Sequence, residues 1–253
     1  SPGISLTAPP MKYMDISKLN VEVDYRKLRL NNLCTPQFSH LLMLLFWPVF
    51  GVIFAALERV RTTGYHIVYS PVDDLIPFCE FFVIPYFFWF VYLVGMYVYS
   101  IFWDIETFKK YTWYIILTYT ATVIIYIFWP TAQELRPVVF ERNNVFTGIM
   151  KRFYNFDTNT NVCPSLHVIG AVAVSAAAWN SKLFSKTGWR IAFTVTTLLI
   201  IVSTVFLKQH SVVDIPPALA ICVLAYPPVF GKKCNAFIRS TWEKLKARLS
   251  KNQ

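Results

Sequence analysis

The sequence predicts an all-α integral membrane bundle of six transmembrane helices, with an amphipathic interfacial helix in the loop between spans three and four. Three observations lead there. Charged residues make up only 15% of the 253-residue chain, against roughly a quarter in ordinary soluble domains. Aromatic residues reach 17% and the mean hydropathy is +0.44. The apolar residues are gathered into blocks approaching the length, about 20 residues, that a helix needs to cross the hydrocarbon core of a bilayer. This composition excludes a disordered chain. It also argues against a nucleic-acid-binding role, despite a formal net charge of +10.

Taken in order, residues 1–38 form an N-terminal arm. Ser1–Pro10 precede Met11 and Met14, and are either native or an expression scar. No cleavable signal peptide is expected, because the first apolar block starts late. The predicted spans are 39–57, 78–103, 111–129, 166–179, 191–207 and 212–230. The fourth is the shortest and is rich in small residues (Gly170, Ala171, Ala173, Ser175, Ala176), as suits a helix packed inside a bundle. Residues 39–230 make one membrane domain with no internal repeat, and 231–253 form a basic tail.

An even number of spans puts both termini on one side. That side holds most of the 24 Lys and Arg residues, including Lys109, Lys110, Lys182, Lys186, Arg190 and the tail. By the positive-inside rule the termini are cytoplasmic. The tail reads either as a helix drawn to anionic lipid or as a solvated segment. Five cysteines show no metal or disulfide spacing, although Cys79 and Cys163 fall near the same face and a bridge between them is conceivable. In the loop 130–163, Val145, Ile149 and Phe153 recur at helical spacing, as do Phe146, Met150 and Tyr154. These rows predict the interfacial helix. It reads equally as a roof over a site or as a collar.

The residues that carry chemistry cluster at the ends of spans. His167 lies in Pro164-Ser165-Leu166-His167, at the mouth of the fourth. His210 lies in the run from Ser203 to Asp214, which joins the fifth span to the sixth. Arg136-Pro137 follows the third. Counting spans puts all three clusters on the non-cytoplasmic face. His210 and Asp214 are four apart, so on a helix they share a face. A carboxylate there holds one imidazole nitrogen and leaves the other as nucleophile or base. A second histidine can protonate a leaving oxygen. Arg136 and Lys208 supply positive charge where a phosphoryl transition state gathers negative charge. The constellation calls for no cofactor or metal: the sequence has no aspartate-rich metal motif and no glycine-rich phosphate loop.

At these residues the chain resembles the type 2 phosphatidic acid phosphatase superfamily of six-span lipid phosphatases and phosphotransferases. Its pattern is Lys, six residues, Arg-Pro; then Pro-Ser-x-His; then Ser-Arg, five residues, His, three residues, Asp. Arg136-Pro137, Pro164–His167, Ser203, His210 and Asp214 match it, over roughly residues 111–230. The resemblance implies that His210 attacks phosphorus to form a phosphohistidine and that Asp214 orients it. It implies that His167 serves the leaving group and the acceptor, and that Arg136, Ser165 and Ser203 hold phosphate oxygens. Trp129 stands at the family's Lys position and Thr204 at its second Arg, so two cationic contacts are missing, and Lys208 restores one charge. Ala218 stands where the family often has Gly. The Ser-Thr form with Pro-Ser-Leu-His looks like the inositol phosphorylceramide synthase branch, whose members move a phospho-headgroup between lipids. A diester phosphorus carries less charge and fits a site with fewer cations.

The expected activity is therefore cleavage of a lipid phosphoester, with water or a lipid hydroxyl as acceptor. The substrate would be a membrane phospholipid or a polyprenyl or sphingolipid phosphate, met within the bilayer. The alternatives are a headgroup phosphotransferase and a non-catalytic membrane protein that binds or moves lipid. His40 and His66 read as structural. Asp73 and Asp74 read as solvated loop charges, or else as partners of a cationic headgroup. Glu80 lines an entrance or sits at the interface. The aromatics Tyr86, Phe87, Trp89, Tyr126 and Trp129 read as interfacial belts and lipid-facing packing. Pro216 and Pro217 either open the sixth helix or kink it.

Overall fold

The computed structural model describes residues 21–61 and 63–231. Residues 1–10 and the basic tail from 232 onward lie outside the described residues. The described chain is mostly helical: α1 (Phe46–Val60), α2 (Pro71–Leu75), α3 (Val83–Trp103), α4 (Ile105–Phe128), α5 (Val145–Phe156), α6 (Leu166–Asn180), α7 (Thr187–Phe206) and α8 (Ile215–Phe230). A 3-10 segment, Ser39–Leu45, leads into α1, and another, Val212–Asp214, leads into α8. Two strands of two residues, β1 (His66–Ile67) and β2 (Thr131–Ala132), pair in parallel. A bridge from Ala132 to Thr160 adds a third loop. This small patch sews together the loops that follow α1 and α4 and the one that precedes α6.

Five of the six predicted blocks become helical segments long and apolar enough to cross a membrane: Ser39–Val60, Glu80–Trp103, Ile105–Phe128, Thr187–Phe206 and Val212–Phe230. The fourth becomes α6, a shorter apolar helix of 15 residues. At 1.5 Å per residue it is about 22 Å long. The third helix starts earlier than its hydropathy suggests. Asp104 accepts from the Thr107 amide at 3.2 Å and from its hydroxyl at 2.8 Å, and this cap draws Glu106, Lys109 and Lys110 into α4.

The chain runs back and forth between two ends. At one, Lys182 N, just past α6, donates to Asp104 between α3 and α4. Tyr25 of the N-terminal arm there donates to Ile101 O and contacts His40, which is buried, in keeping with a structural role. At the other end, Cys79 N before α3 donates to Phe206 O at the end of α7.

Helix α6 sits at the centre, packed against α3, α4, α7 and α8. Its small side chains permit close approach of its neighbours. At Gly170 a Cβ would lie 2.8 Å from Trp89 Nε1 and 2.9 Å from Tyr119 Oη, so only glycine fits without moving those rings. Polar groups point inward. Tyr114 donates to Cys222 O at 2.7 Å and Tyr92 to Phe193 O at 3.0 Å. Thr112, Thr118 and Thr122 donate back to carbonyls one turn earlier in α4. The outer faces of α1, α3, α7 and α8 are apolar, with Val52, Val91, Leu198 and Leu224 all exposed. Such an exterior suits hydrocarbon, where backbone groups are satisfied within each helix.

Candidate active site

The residues singled out in the sequence meet at the end of the bundle where α6 and α8 begin and α7 stops. Ser165 caps α6, its Oγ accepting from Val168 N at 3.4 Å, and this sets His167 in the first turn. After α7 the chain turns tightly. Gln209 N and His210 N both donate to Thr204 O, at 3.0 and 3.2 Å. Lys208 takes a left-handed backbone, φ 52°, to allow this. Ser211 then caps the Val212–Asp214 turn in a reciprocal box, with Asp214 Oδ2 accepting from Ser211 N at 3.1 Å. The same oxygen accepts from His210 Nδ1 at 2.9 Å.

The His210–Asp214 contact therefore arises from a capping box at a helix start and not from one face of a helix. Pro216 and Pro217 follow in the first turn of α8, where a missing N–H is tolerated, so they open the helix and do not kink it. With a carboxylate as acceptor, the proton of His210 sits on Nδ1 and the Nε2 lone pair is left open.

His167 faces this pair, its ring centroid 5.6 Å from that of His210. It is held by Tyr86, stacked at 4.6 Å, and by Trp89 at 4.5 Å. Ser165 N donates to Asp214 O at 3.3 Å, joining the two motifs directly. Tyr86, Trp89 and Tyr126 are thus buried and not belt residues; Tyr126 donates to Pro164 O behind the site. Phe87 is partly buried. Trp129 is exposed and stacks on His66 at 3.9 Å. Cys79 and Cys163 are both free thiols. Burial pushes the Cys163 thiol up to about 12, and Asp214 adds to the effect.

The expected phosphate contacts are largely engaged within the protein. Nη1 of Arg136 donates to Tyr154 O and Asp157 O, and Nη2 to Thr158 O and Gln209 Oε1, the last at 2.6 Å. The guanidinium lies 4.7 Å over the Tyr154 ring, and its Nε has no partner among the described residues. Burial lowers the Arg136 pKa from its ordinary value. Ser203 and Thr204 hydroxyls donate back to Ile200 O and Ile201 O. Lys208 Nζ donates to Asp73 O at 2.6 Å, and burial lowers its pKa. Ser165 Oγ keeps its own proton free, since it acts only as an acceptor toward Val168. Among the described residues no group of three or more His, Cys, Asp or Glu side chains is arranged to hold a metal ion.

Burial raises the Asp157 pKa to about 6, against the pull of Arg136 3.5 Å away. Because the folded protein holds this proton more tightly than the unfolded chain, stability falls as pH rises from about 4 to about 6. Asp157→Asn removes the titration. Thermal unfolding midpoints of the purified protein between those pH values should show a downward slope in the wild type that flattens in the variant. Equal slopes would refute the assignment.

Several residues of the site carry no signal in the sequence. Asp73, read in the sequence as a solvated loop charge or a partner of a cationic headgroup, is fully buried. Its Oδ2 accepts from Ser211 Oγ at 2.6 Å and Ser70 N at 2.9 Å, and its Oδ1 from Val212 N at 2.9 Å. Only the Ser70-Pro71-x-Asp73 capping pattern hints at it. Glu80 is buried and holds Arg142 at 3.2 Å and Asn144 at 2.9 Å, which ties the start of α3 to the start of α5. On α5, Met150, Phe146, Phe153 and Tyr154 pack toward Tyr86 and Leu207, while Val145 and Ile149 are exposed.

Buried side-chain atoms without a partner concentrate at this end. They include Tyr86 Oη, Arg136 Nε, His167 Nε2, Gln209 Nε2 and Asp214 Oδ1. Each such atom costs about 1–3 kcal/mol relative to a satisfied one, and functional sites are where such costs are tolerated. No protein-family model, no curated protein and no solved structure matches the chain.

Proposed function

We propose that this protein is a six-span membrane lipid phosphoesterase that works through a phosphohistidine at the non-cytoplasmic face, as the resemblance to the type 2 phosphatidic acid phosphatases implies. The observation that carries the reading is the His210–Asp214 contact of 2.9 Å, with the open Nε2 set opposite His167. In this scheme Nε2 forms a bond to phosphorus as the bond to the leaving oxygen breaks. Asp214 stabilises the imidazolium that develops. His167 gives a proton to the leaving oxygen, then takes one from the incoming water or lipid hydroxyl as that acceptor displaces His210. The N-terminus of α6 adds partial positive charge beside the phosphoryl group. The span that completes the six is the fourth, α6, a shorter apolar helix of 15 residues whose side chains are mostly buried among its neighbours. The basic residues at the Asp104 end of the bundle favour a cytoplasmic position for that end. Helix α5, with one apolar face turned inward and Val145 and Ile149 turned out, lies in the outer interface above the site.

A second reading, headgroup transfer between lipids, is favoured by one feature. Both Nη groups of Arg136 and the Nζ of Lys208 are engaged by protein oxygens. A site with so little free positive charge suits a diester phosphorus better than a doubly charged monoester. The test is turnover of a mixed panel of lipid phosphomonoesters and phosphodiesters by the purified protein in detergent. Free phosphate and new phospholipid species are followed together by mass spectrometry. Phosphate release from monoesters supports hydrolysis, and headgroup-exchanged lipids without phosphate support transfer. No change in any panel member would leave the protein a lipid binder and end the enzymatic reading.

A further inference from the structure

Three buried hydrogen-bond donors beside the histidine pair have no acceptor of hydrogen-bond geometry among the described residues: Tyr86 Oη, Gln209 Nε2 and Arg136 Nε. They come from α3, from the turn after α7 and from the loop after α4, so no local pattern explains their meeting. The orientation of the Gln209 amide is fixed. Its Oε1 accepts from Arg136 Nη2, which turns Nε2 the other way, and Gln133 holds the backbone through Lys208 O and Gln209 O. The Arg136 Nη groups are fully used on carbonyls and on Gln209, so Nε is its remaining donor. Tyr86 stacks on His167. Its hydroxyl oxygen lies near Arg136 and within the electrostatic reach of the Gln209 side chain, while the hydroxyl proton finds no acceptor of hydrogen-bond geometry among the described residues.

Packing alone does not account for these groups. A phenylalanine at 86 would bury the same ring without leaving a hydroxyl unpaired. Buried donors are normally satisfied, and neighbouring donors contributed by three separate elements suit a group with several acceptor oxygens. Gln209 adjoins His210 in the chain, and Tyr86 touches His167, so an oxyanion bound there is next to both imidazoles.

We propose that Tyr86, Gln209 and Arg136 form the pocket that receives the non-reacting oxygens of the phosphoryl group that His210 attacks. This rests on the reading of the protein as a phosphoesterase and adds two residues, Tyr86 and Gln209, that no motif marks. The donors are in place before substrate arrives, so they stabilise the charge on phosphorus without reorganising.

The experiment uses the full chain purified in detergent, with orthovanadate as phosphoryl probe and binding read by calorimetry. The same preparation is assayed on the lipid ester panel. Tyr86→Phe keeps the ring and the stacking on His167. Gln209→Glu keeps an oxygen for Arg136 and replaces the donor with an acceptor. Each is expected to weaken orthovanadate binding and to lower kcat/KM about 10- to 100-fold, as for loss of one donor to an oxyanion. The thermal midpoint of Tyr86→Phe should be unchanged or higher, which separates loss of a ligand contact from loss of structure. Wild-type binding and turnover in Tyr86→Phe would overturn the pocket while leaving His210 as nucleophile. Orthovanadate binding that depends on Tyr86, in a protein that turns over no lipid ester, would support the pocket and end the phosphoesterase reading. No orthovanadate binding by the wild type would overturn the pocket.

Discussion

Replacement of His210 by alanine is expected to lower lipid ester turnover by at least about 10³-fold and to remove any acid-labile phosphoenzyme. The fold should survive, because the Ser211–Asp214 capping box does not depend on the imidazole. The loss would therefore be chemical. Asp214→Asn should cost about 10²- to 10⁴-fold, since an amide can present its N–H to Nδ1 and so stabilise the wrong tautomer. His167→Gln should separate the two steps. With an activated ester, whose leaving oxygen needs no proton, the phosphoenzyme should still form, and its breakdown should become slow. Rapid-quench labelling followed by acid and base stability of the label reads all three. A label of wild-type amount in His210→Ala would show that another residue is the nucleophile, and the scheme would fall.

The parts of the site that were legible in the sequence are those fixed by short spacing. Pro-Ser-x-His places a histidine one turn into a helix, because Ser165 caps it. His210 and Asp214 were rightly expected to touch, but for the wrong geometric reason. A capping box joins them, and helical periodicity does not. The helix blocks were legible because hydropathy is a local property. Their ends were less so: the charges Glu106, Lys109 and Lys110 hid the first turns of α4, which Asp104 caps. Burial of a single polar side chain is not local. Asp73 and Asp74 look alike in sequence, yet the first is buried and holds three donors while the second is exposed and accepts from Tyr69. Tyr86 and Gln209 share this difficulty. Tyr86 sits in an aromatic run where every ring looks like lipid-facing packing, and what Gln209 touches depends on Arg136, 73 positions away.

Asp73→Ala is expected to be the most destabilising single change near the site. The carboxylate accepts from Ser211 Oγ, Ser70 N and Val212 N, and it is wholly removed from solvent. Alanine leaves three donors unpaired. At about 1–3 kcal/mol for each unsatisfied buried group the loss is several kcal/mol before relaxation, in the range of the largest single-site effects. The damage falls beside the proposed nucleophile, because Ser211 and Val212 directly follow His210. Loosening them shifts His210 against Asp214, so kcat should fall more than substrate affinity. Asp73→Asn should cost less, because it keeps one acceptor oxygen and the size of the group. Ser211→Ala tests the linkage. It removes one partner of Asp73 but leaves the Ser70 and Val212 contacts, so its own effect should be modest. Combined with Asp73→Ala it should cost less than the two single effects added, as expected for residues in one network. Thermal midpoints in detergent and kcat, measured for the two single variants and the double, form the cycle. Strict additivity, or an Asp73→Ala protein with the stability and kcat of the wild type, would show that α2 does not hold the proposed nucleophile in place.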